Sequence, residues 1–199
     1  MEKRVLLAFA GKMYTGKDTS ADIWEQQYHQ FDVNWGDTLT RGFVRAAFAS
    51  RLKHTCREIF NLTDEDVNTP EGKKRLVEPY GKTVRELLQG VGQALREYIS
   101  KDIWVTLTLK DLDVVLKTST SHILVTDVRY PNELAALKSR GFTMIKMIRN
   151  TGVVDNHASE QDLNDELFDY IIDNNGTKED LKAKLLSLPE YQFPAPQYD

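Results

Sequence analysis

The sequence predicts an α/β fold in which a parallel sheet of five strands carries helices on both faces. Apolar runs of strand length alternate with segments whose apolar residues recur every three or four positions, which is typical of such a sheet. A glycine-rich stretch, GKMYTGK, lies between the first apolar run and the first helical segment. Strands are predicted near residues 5–10, 44–48, 123–126, 144–148 and 170–173. Helices are predicted over residues 17–27, 51–60, 83–99, 103–116, 132–140 and 178–188.

The composition predicts a single domain over residues 1–199, long enough to bury a core without disulfides or structural metals. The formal net charge of −4 argues against a general binder of nucleic acids or membrane surfaces, which would carry a basic excess. Cys56 has no second thiol to pair with, and we interpret it as a small buried apolar residue in a reducing compartment. We therefore expect a cytoplasmic protein that binds small molecules and neither nucleic acids nor membranes. The sequence does not decide between a monomer and a homodimer.

The stretch GKMYTGK has the G-x-x-x-x-G-K spacing of a phosphate-binding loop. Gly11 and Gly16 can adopt positive φ and leave room for an oxyanion near the backbone, so that successive N–H groups point into one cavity. Lys17 then supplies a positive charge for the outer phosphates of a nucleotide. Gly11, Lys12, Thr15, Gly16 and Lys17 are therefore candidate ATP-binding residues, with Lys17 also catalytic. The alternative is a glycine-rich turn that binds nothing.

Asp18 stands where a Ser or Thr hydroxyl usually holds magnesium in such loops. A bare carboxylate is repelled by a triphosphate, but a magnesium ion between them turns the repulsion into coordination. We therefore predict Asp18 as both an ATP-site and a metal residue. The alternative is that Asp18 only complements the helix dipole, and Thr19 then serves the metal.

A second carboxylate, Asp127, ends the apolar run of residues 123–125, at the carboxyl edge of a predicted central strand where ligands of such sheets bind. We predict Asp127 as the second metal residue. Arg129 would reach the same crevice and neutralise phosphate oxygens through its planar guanidinium. The alternative is that Asp127 and Arg129 only organise the turn that precedes a helix at Asn132.

Basic residues cluster in two further segments. Arg51 and Lys53 begin a predicted helix, and Arg85, Gln89 and Arg96 share one face of another at spacings of four and seven. Gly90 and Gly92 lower the helix propensity there, which is explicable if a ligand or backbone packs closely. We predict a second phosphate site on these residues; the alternative is plain surface charge.

Three segments outside the regular elements could shape a site. Residues 61–81 are polar and contain Pro70 and Pro79, and we interpret them as a mobile surface excursion that binds the acceptor. Residues 150–167 follow Arg149 and are long enough for a flap, while the proline-rich tail of residues 189–199 lies over the surface or is disordered. His157 and Glu160 in the flap are interpreted as a structural pair rather than metal ligands. The turn Asn174, Asn175 and Gly176 could frame a nucleotide base.

Taken together, the order of these motifs resembles that of the bacteriophage-type deoxynucleoside monophosphate kinases. The motifs are GKMYTGKDTSAD, FASRLK, TVRELLQGVGQALR followed by DIWV, TDVRYPNE, DNHASE and DNNGTKEDL. The loop with Asp after GK, the Asp-x-Arg at a strand end and the Asn-x-Gly-Thr turn are also similar to phosphomevalonate kinase and, more distantly, dephospho-CoA kinase. All are relatives in the P-loop kinase fold.

The resemblance implies ATP as donor, magnesium as cofactor, and transfer of the γ-phosphoryl group to a bound deoxynucleoside monophosphate. It implies that Arg51, Lys53, Arg85 and Arg96 lie toward the acceptor. It also implies that Arg129 and Arg149 lie toward the transferring phosphate. The chain departs from the pattern because no arginine follows Arg149, so Arg129 or Arg149 must take the role of the flap arginines. The insert around residues 35–40 differs in length, and the accepted base stays open.

Two other functions are compatible with the sequence. The first is a P-loop kinase of another small phosphorylated acceptor, of the phosphomevalonate or dephospho-CoA type. The second is a nucleotide-binding switch in which binding or hydrolysis alone matters. A viral member of the resembled family would work in the host cytoplasm.

Overall fold

The computed structural model describes residues 4–32, 42–119, 121–152 and 163–191. Its strands are β1 Leu6–Ala10, β2 Phe43–Ala46, β3 Leu76–Val77, β4 Lys82–Thr83, β5 His122–Val128, β6 Thr143–Ile148 and β7 Tyr170–Asp173. Its α-helices are α1 Lys17–Asp32, α2 Ala49–Phe60, α3 Asp64–Asn68, α4 Val84–Tyr98, α5 Ile103–Thr118, α6 Pro131–Lys138 and α7 Lys178–Leu186. Short 3-10 turns occupy Gly72–Lys74, Glu78–Tyr80, Asp165–Leu167 and Pro189–Tyr191.

Five strands form one parallel sheet in the order β2-β5-β1-β6-β7, which confirms the predicted α/β class and strand number. The first strand of the chain therefore lies in the middle, between β5 and β6. Its sequence LLAFA is apolar throughout and four of its five residues are buried, as expected for a central parallel strand covered on both faces. Just before β1, the Val5 N–H donates to Nδ1 of the buried His122 at 2.8 Å.

The core on one face of the sheet is shared with α1 and α7. Leu7 and Phe9 of β1 contribute to it, together with Trp24 of α1 and Leu181 and Leu185 of α7. The intervening Ala8 and Ala10 are also buried, so β1 carries large side chains on one face and small ones on the other. Burial of this apolar surface packs α1 against β1, the strand that precedes it in the chain.

The pairing of β1 with β5 contains a β-bulge. Ala8 pairs with Val125 but Ala10 pairs with Val128, so two positions along β1 correspond to three along β5. The extra residue falls in the Thr126–Asp127 stretch, where side chains are half-buried. Bulges change the direction in which a side chain points and are frequent beside active sites.

Most observed element boundaries lie within two residues of the predicted ones, and the end of α1 is the exception. The strand predicted over residues 44–48 ends at Ala46, because the Ser50 N–H bonds to the Ala47 carbonyl and opens the turn into α2. Helix α1 continues to Asp32, five residues beyond the predicted end at residue 27.

The chain divides into two compact units, one made of Met1–Ala46 with Val115–Asp199 and the other of Ala47–Val114. The first contains the five-stranded sheet. The second contains α2, α3, α4 and the antiparallel pair of β3 and β4, built around its own apolar cluster. Cys56 is completely buried in that cluster, as predicted, and burial raises the pKa of its thiol to about 11. The prediction that residues 1–199 form a single kinase domain stays a prediction.

The segment of residues 61–81 holds more regular structure than its polar composition predicts. Thr63 caps α3, and its N–H bonds to the Asp66 carboxylate at 2.8 Å. Asp66 is buried and accepts two hydrogen bonds from Arg75, at 2.5 and 2.7 Å. Val67 and Val77 join the apolar cluster of the second unit. An ion pair with a buried carboxylate and two buried valines therefore hold a stretch that the sequence pattern alone predicts as a surface excursion.

We expect Asp66→Asn to destabilise the protein by about 1–3 kcal/mol at pH 7, because it leaves the Arg75 guanidinium facing a neutral amide. The hydrogen bonds from Arg75 hold the pKa of Asp66 well below its usual range. A lowered folded-state pKa contributes stability that is fully present above the unfolded-state pKa of about 4 and is lost as pH falls through the folded-state pKa. Urea unfolding of both proteins at pH 7 and near pH 2 measures this.

The difference in free energy of unfolding between Asp66→Asn and the unsubstituted protein should therefore be smaller near pH 2 than at pH 7. Glu65→Gln, on the exposed side of the same helix, is the matched control and should leave the free energy of unfolding unchanged within about 0.5 kcal/mol. A difference that is the same at both pH values would contradict the assignment.

Candidate active site

Three residues of the loop between β1 and α1 have positive φ. Gly11 and Gly16 have φ of +141° and +99°, and Tyr14 lies in the left-handed region at +63°. The Thr15 hydroxyl donates to the Lys12 carbonyl at 2.9 Å and closes the loop from within. Alternation of right- and left-handed residues turns successive N–H groups toward one concavity, which attracts an anion together with the α1 dipole.

Close contacts explain why both loop glycines are needed. A Cβ at Gly11 would collide with the Met147 carbonyl oxygen of β6 and lie 2.8 Å from the Thr15 hydroxyl. A Cβ at Gly16 would collide with the side-chain amide of Asn174. The loop is thus pressed against the ends of β6 and β7, and any side chain at these positions would push it away.

Lys17, the first residue of α1, lies with its ammonium group against the loop backbone. Its Nζ donates to the carbonyls of Gly11 and Lys12, each at 2.7 Å, and the residue is only 9% exposed. The two carbonyls hold the cation at the loop backbone, and its predicted role toward a phosphate stays a prediction.

The next residues of α1 are the predicted metal residue and its alternative. Asp18 is exposed in the first helical turn and Thr19 is half-buried, and neither shows a hydrogen bond within the described residues. Ser20 is buried, and its hydroxyl donates to the Gly16 carbonyl at 2.9 Å. Ser20 is therefore used by the fold, and both interpretations of Asp18 remain open.

Asp127 lies near the carboxyl end of β5, Arg129 directly follows β5, and Arg149 directly follows β6; these are the two strands that flank β1. Because β5, β1 and β6 are parallel neighbours, the topology brings these residues to the same sheet edge as the phosphate loop. Asp127 lies in the β5 bulge and is half-buried, while Arg149 directly follows β6 and is exposed. Their roles remain predictions.

Glu133 fixes the turn that carries Arg129 and was not predicted as a site residue. It is 1% exposed, and one carboxylate oxygen accepts the backbone N–H groups of Arg129 and Tyr130 at 2.9 and 3.1 Å. The signal was present in YPNE, since proline at the first position of a helix and glutamate at the third form the start of a capped helix.

The predicted base turn, residues 174–176, follows β7 on the same sheet edge. Asn174 is buried and its side-chain amide donates to the Thr15 carbonyl at 2.9 Å. The backbone and side-chain N–H groups of Asn175 both bond to Asp173, which holds the pKa of that carboxyl below its usual range. The Asn175 side-chain oxygen accepts the Asn150 N–H at 2.8 Å. The turn therefore joins the phosphate loop to the start of the predicted flap.

Lys146 is a second residue that the sequence pattern did not single out. It is buried on β6, and its Nζ donates to the Leu163 carbonyl at 2.8 Å and to Asp165 at 2.6 Å. The lysine thus anchors the end of the predicted flap to the sheet. Residues 153–162 of that flap, with His157 and Glu160, lie outside the described residues, as do residues 35–40 and 192–199.

The predicted acceptor residues all belong to the second unit. Arg51 forms a two-bond ion pair with Asp111, which keeps the pKa of Asp111 below and that of Arg51 above the usual range. Lys53 donates to the Asn68 side chain at 3.0 Å. Arg85, Gln89 and Arg96 are half-buried along α4. Gly92 on the same helix is explained by packing, since a Cβ there would lie 3.0 Å from the Leu52 side chain.

Among the helices of the described residues, none combines the length and apolar character that crossing a membrane requires.

Comparison with known proteins identifies the family. The model of the family described as deoxynucleotide monophosphate kinase matches residues 74–185. A protein of Acanthamoeba polyphaga mimivirus, named "Putative deoxynucleotide monophosphate kinase", is 31% identical over 197 residues, covering 92% of this chain and 95% of its own length. A deoxynucleotide monophosphate kinase of Escherichia phage RB69 is 28% identical over 105 residues, covering 52% of this chain and 43% of its own.

These matches confirm the resemblance drawn from the sequence motifs and the expected enzyme class, a phosphotransferase that uses ATP. They do not favour the phosphomevalonate, dephospho-CoA or switch alternatives. The chain belongs to the deoxynucleotide monophosphate kinase family.

Proposed function

We propose that the protein transfers the γ-phosphoryl group of ATP to a deoxynucleoside monophosphate, giving a deoxynucleoside diphosphate and ADP. The observation that carries this proposal is the β1–α1 loop, whose left-handed residues and buried Lys17 form a polarised cup for a polyphosphate. Family membership supplies the acceptor class.

The chemistry requires positioning and charge neutralisation rather than a strong base, because the acceptor is a phosphate oxygen that is already ionised. The loop amides and Lys17 would hold the β- and γ-phosphates. Arg129 or Arg149 would neutralise the transferring group through a planar guanidinium. The backbone bonds to Glu133 support Arg129 in this role, since they fix the turn from which its side chain extends.

The chain's own oxygen donors are suited to magnesium. Asp18 is exposed at the loop and Asp127 is half-buried at the adjacent strand end, and carboxylates are ligands that magnesium takes alongside substrate phosphates and water. Within the described ranges, no three His, Cys, Asp or Glu side chains converge on a metal by themselves. Magnesium would supply charge neutralisation at the phosphates, with Asp18 and Asp127, or Thr19 in place of Asp18, holding it.

The remaining assignments concern the base and the acceptor. Asn174, Asn175 and Gly176 would border the adenine of ATP, because their turn lies at the sheet edge beside the loop. Arg51, Lys53, Arg85, Gln89 and Arg96 would bind the acceptor. Of these, Arg51 already shares its guanidinium with Asp111, so its charge is partly neutralised before any ligand binds.

A panel of acceptors tests the function. ADP formation should rise strongly with one or more deoxynucleoside monophosphates, and should stay at background with phosphomevalonate or dephospho-CoA. Stimulation by either of the latter would replace the proposed acceptor. Slow ATP hydrolysis that no acceptor stimulates would indicate a switch instead of a transferase.

Asp18→Ala should lower magnesium-dependent turnover by about 10-fold or more, while magnesium-free ADP binding changes by less than about threefold. Steady-state rates across a magnesium titration and calorimetric ADP binding measure the two effects. Glu179→Ala removes an acidic residue from the first turn of α7 and is the matched control for a dipole effect. Equal loss of turnover and of ADP affinity in Asp18→Ala would count against the metal role.

A further inference from the structure

The contact between Asn174 and the phosphate loop joins residues 159 positions apart in the chain. Asn174 is 5% exposed, and its backbone N–H donates to the Ile148 carbonyl at 2.7 Å. Its side-chain amide donates to the Thr15 carbonyl at 2.9 Å. Only the NH₂ end of the side chain can face a carbonyl oxygen as a donor, so this orientation of the amide follows from the chemistry.

The Thr15 carbonyl shares a peptide plane with the N–H of Gly16. In a planar trans peptide the C=O and N–H point in opposite directions, so the bond that holds this carbonyl toward Asn174 directs the Gly16 N–H the other way. Gly16 has φ of +99° and lacks a Cβ, so its preceding peptide can rotate with little steric resistance. The direction of this loop amide therefore depends on the hydrogen bond between the Thr15 carbonyl and Asn174.

We propose that Asn174 is a positioning residue that sets the direction of the Gly16 N–H and thereby the affinity of the loop for nucleotide phosphates. Asn174 acts through the Thr15 carbonyl, in addition to any contact of its turn with the base. The inference rests on the proposed function only in taking a nucleotide as the ligand of the loop.

The test uses Asn174→Leu, which keeps the branched shape of the side chain and removes the donor. The dissociation constant for ADP, measured by calorimetry without any acceptor, should rise about tenfold, the equivalent of one hydrogen bond of about 1.4 kcal/mol. Ser139→Ala, which removes a donor to the Ala136 carbonyl at the end of α6, is the control and should leave ADP binding unchanged. A folded Asn174→Leu protein with the original affinity would overturn the proposal.

A measurement on the unsubstituted protein applies even if the variant does not fold. ADP binding should move the Gly16 amide proton downfield in a ¹⁵N-labelled sample, and a Gly16 resonance that ADP leaves in place would overturn the proposal. An unsubstituted chain that binds no ADP would overturn it as well. A chain that binds ADP through Gly16 but transfers no phosphoryl group would refute the proposed function and leave the role of Asn174 standing.

Discussion

Lys17→Met is expected to lower the rate of phosphoryl transfer by roughly 10²–10³-fold, the usual effect of removing one electrostatic contact to a transition state. The Lys17 ammonium group is held against the loop by the carbonyls of Gly11 and Lys12. Methionine is similar in length to lysine but carries no charge. The phosphates would therefore lose the positive charge of Lys17, while α1 keeps a residue that favours helical structure. Initial rates of ADP formation at saturating acceptor, with ATP varied, measure the effect.

The split between kinetic constants identifies how Lys17 acts. If Lys17 stabilises charge that develops during transfer, its removal lowers kcat; if Lys17 only contacts bound ATP, its removal raises KM. We expect kcat to carry most of the loss. Lys182→Met makes the same change on the exposed side of α7 and should leave both constants unchanged. If Lys17→Met turned over within threefold of the unsubstituted protein, the predicted catalytic role of Lys17 would be wrong.

Gly11→Ala is expected to abolish nucleotide binding and to destabilise the fold by about 2–6 kcal/mol, the sum of backbone strain and overpacking. The added Cβ would collide with the Met147 carbonyl oxygen, a backbone atom of β6 that cannot move without disturbing the sheet. The φ of +141° is also one that alanine rarely adopts. Thermal unfolding and calorimetric ADP binding report the two losses.

Gly141→Ala is the control that distinguishes the effect of backbone strain from that of a steric collision of the added Cβ. Gly141 also has positive φ, at +80°, but a Cβ there would meet nothing within 4 Å. That variant should lose about 1 kcal/mol of stability through strain and keep its affinity for ADP. If Gly11→Ala behaved like Gly141→Ala, the close approach of β6 to the loop would not govern the site.

The parts of this protein that the sequence reveals are those encoded by neighbouring residues. The five sheet strands follow from apolar runs such as LLAFA, and the loop follows from seven consecutive residues that combine two glycines with a lysine. The turn after β7 is predicted for the same reason, because Asn-Gly turns have a local signature, and its role at a nucleotide base stays a prediction.

The parts that escaped prediction depend on partners distant in the chain. The bulge at Asp127 exists only relative to the register of β1, and the bond from Asn174 to Thr15 has no signature in either local sequence. The segment that holds Asp66 and Arg75 is rich in charged residues, which pattern analysis assigns to the surface. The sequence therefore predicts a solvated loop where the structure has an ion pair. In each case the deciding contact lies outside the short stretch from which a sequence pattern is interpreted.

The central position of β1 has a consequence for how the enzyme matures during synthesis. During synthesis β1 acquires a neighbouring strand only when β5 has been translated, as the hydrogen bond between Val5 and His122, 117 positions apart, illustrates. Contacts of such large sequence separation slow folding because the chain must close a long loop before any pairing compensates for it. A nascent chain therefore keeps the apolar β1 segment unpaired until β5 has been translated, and we expect chaperones to be needed during that interval.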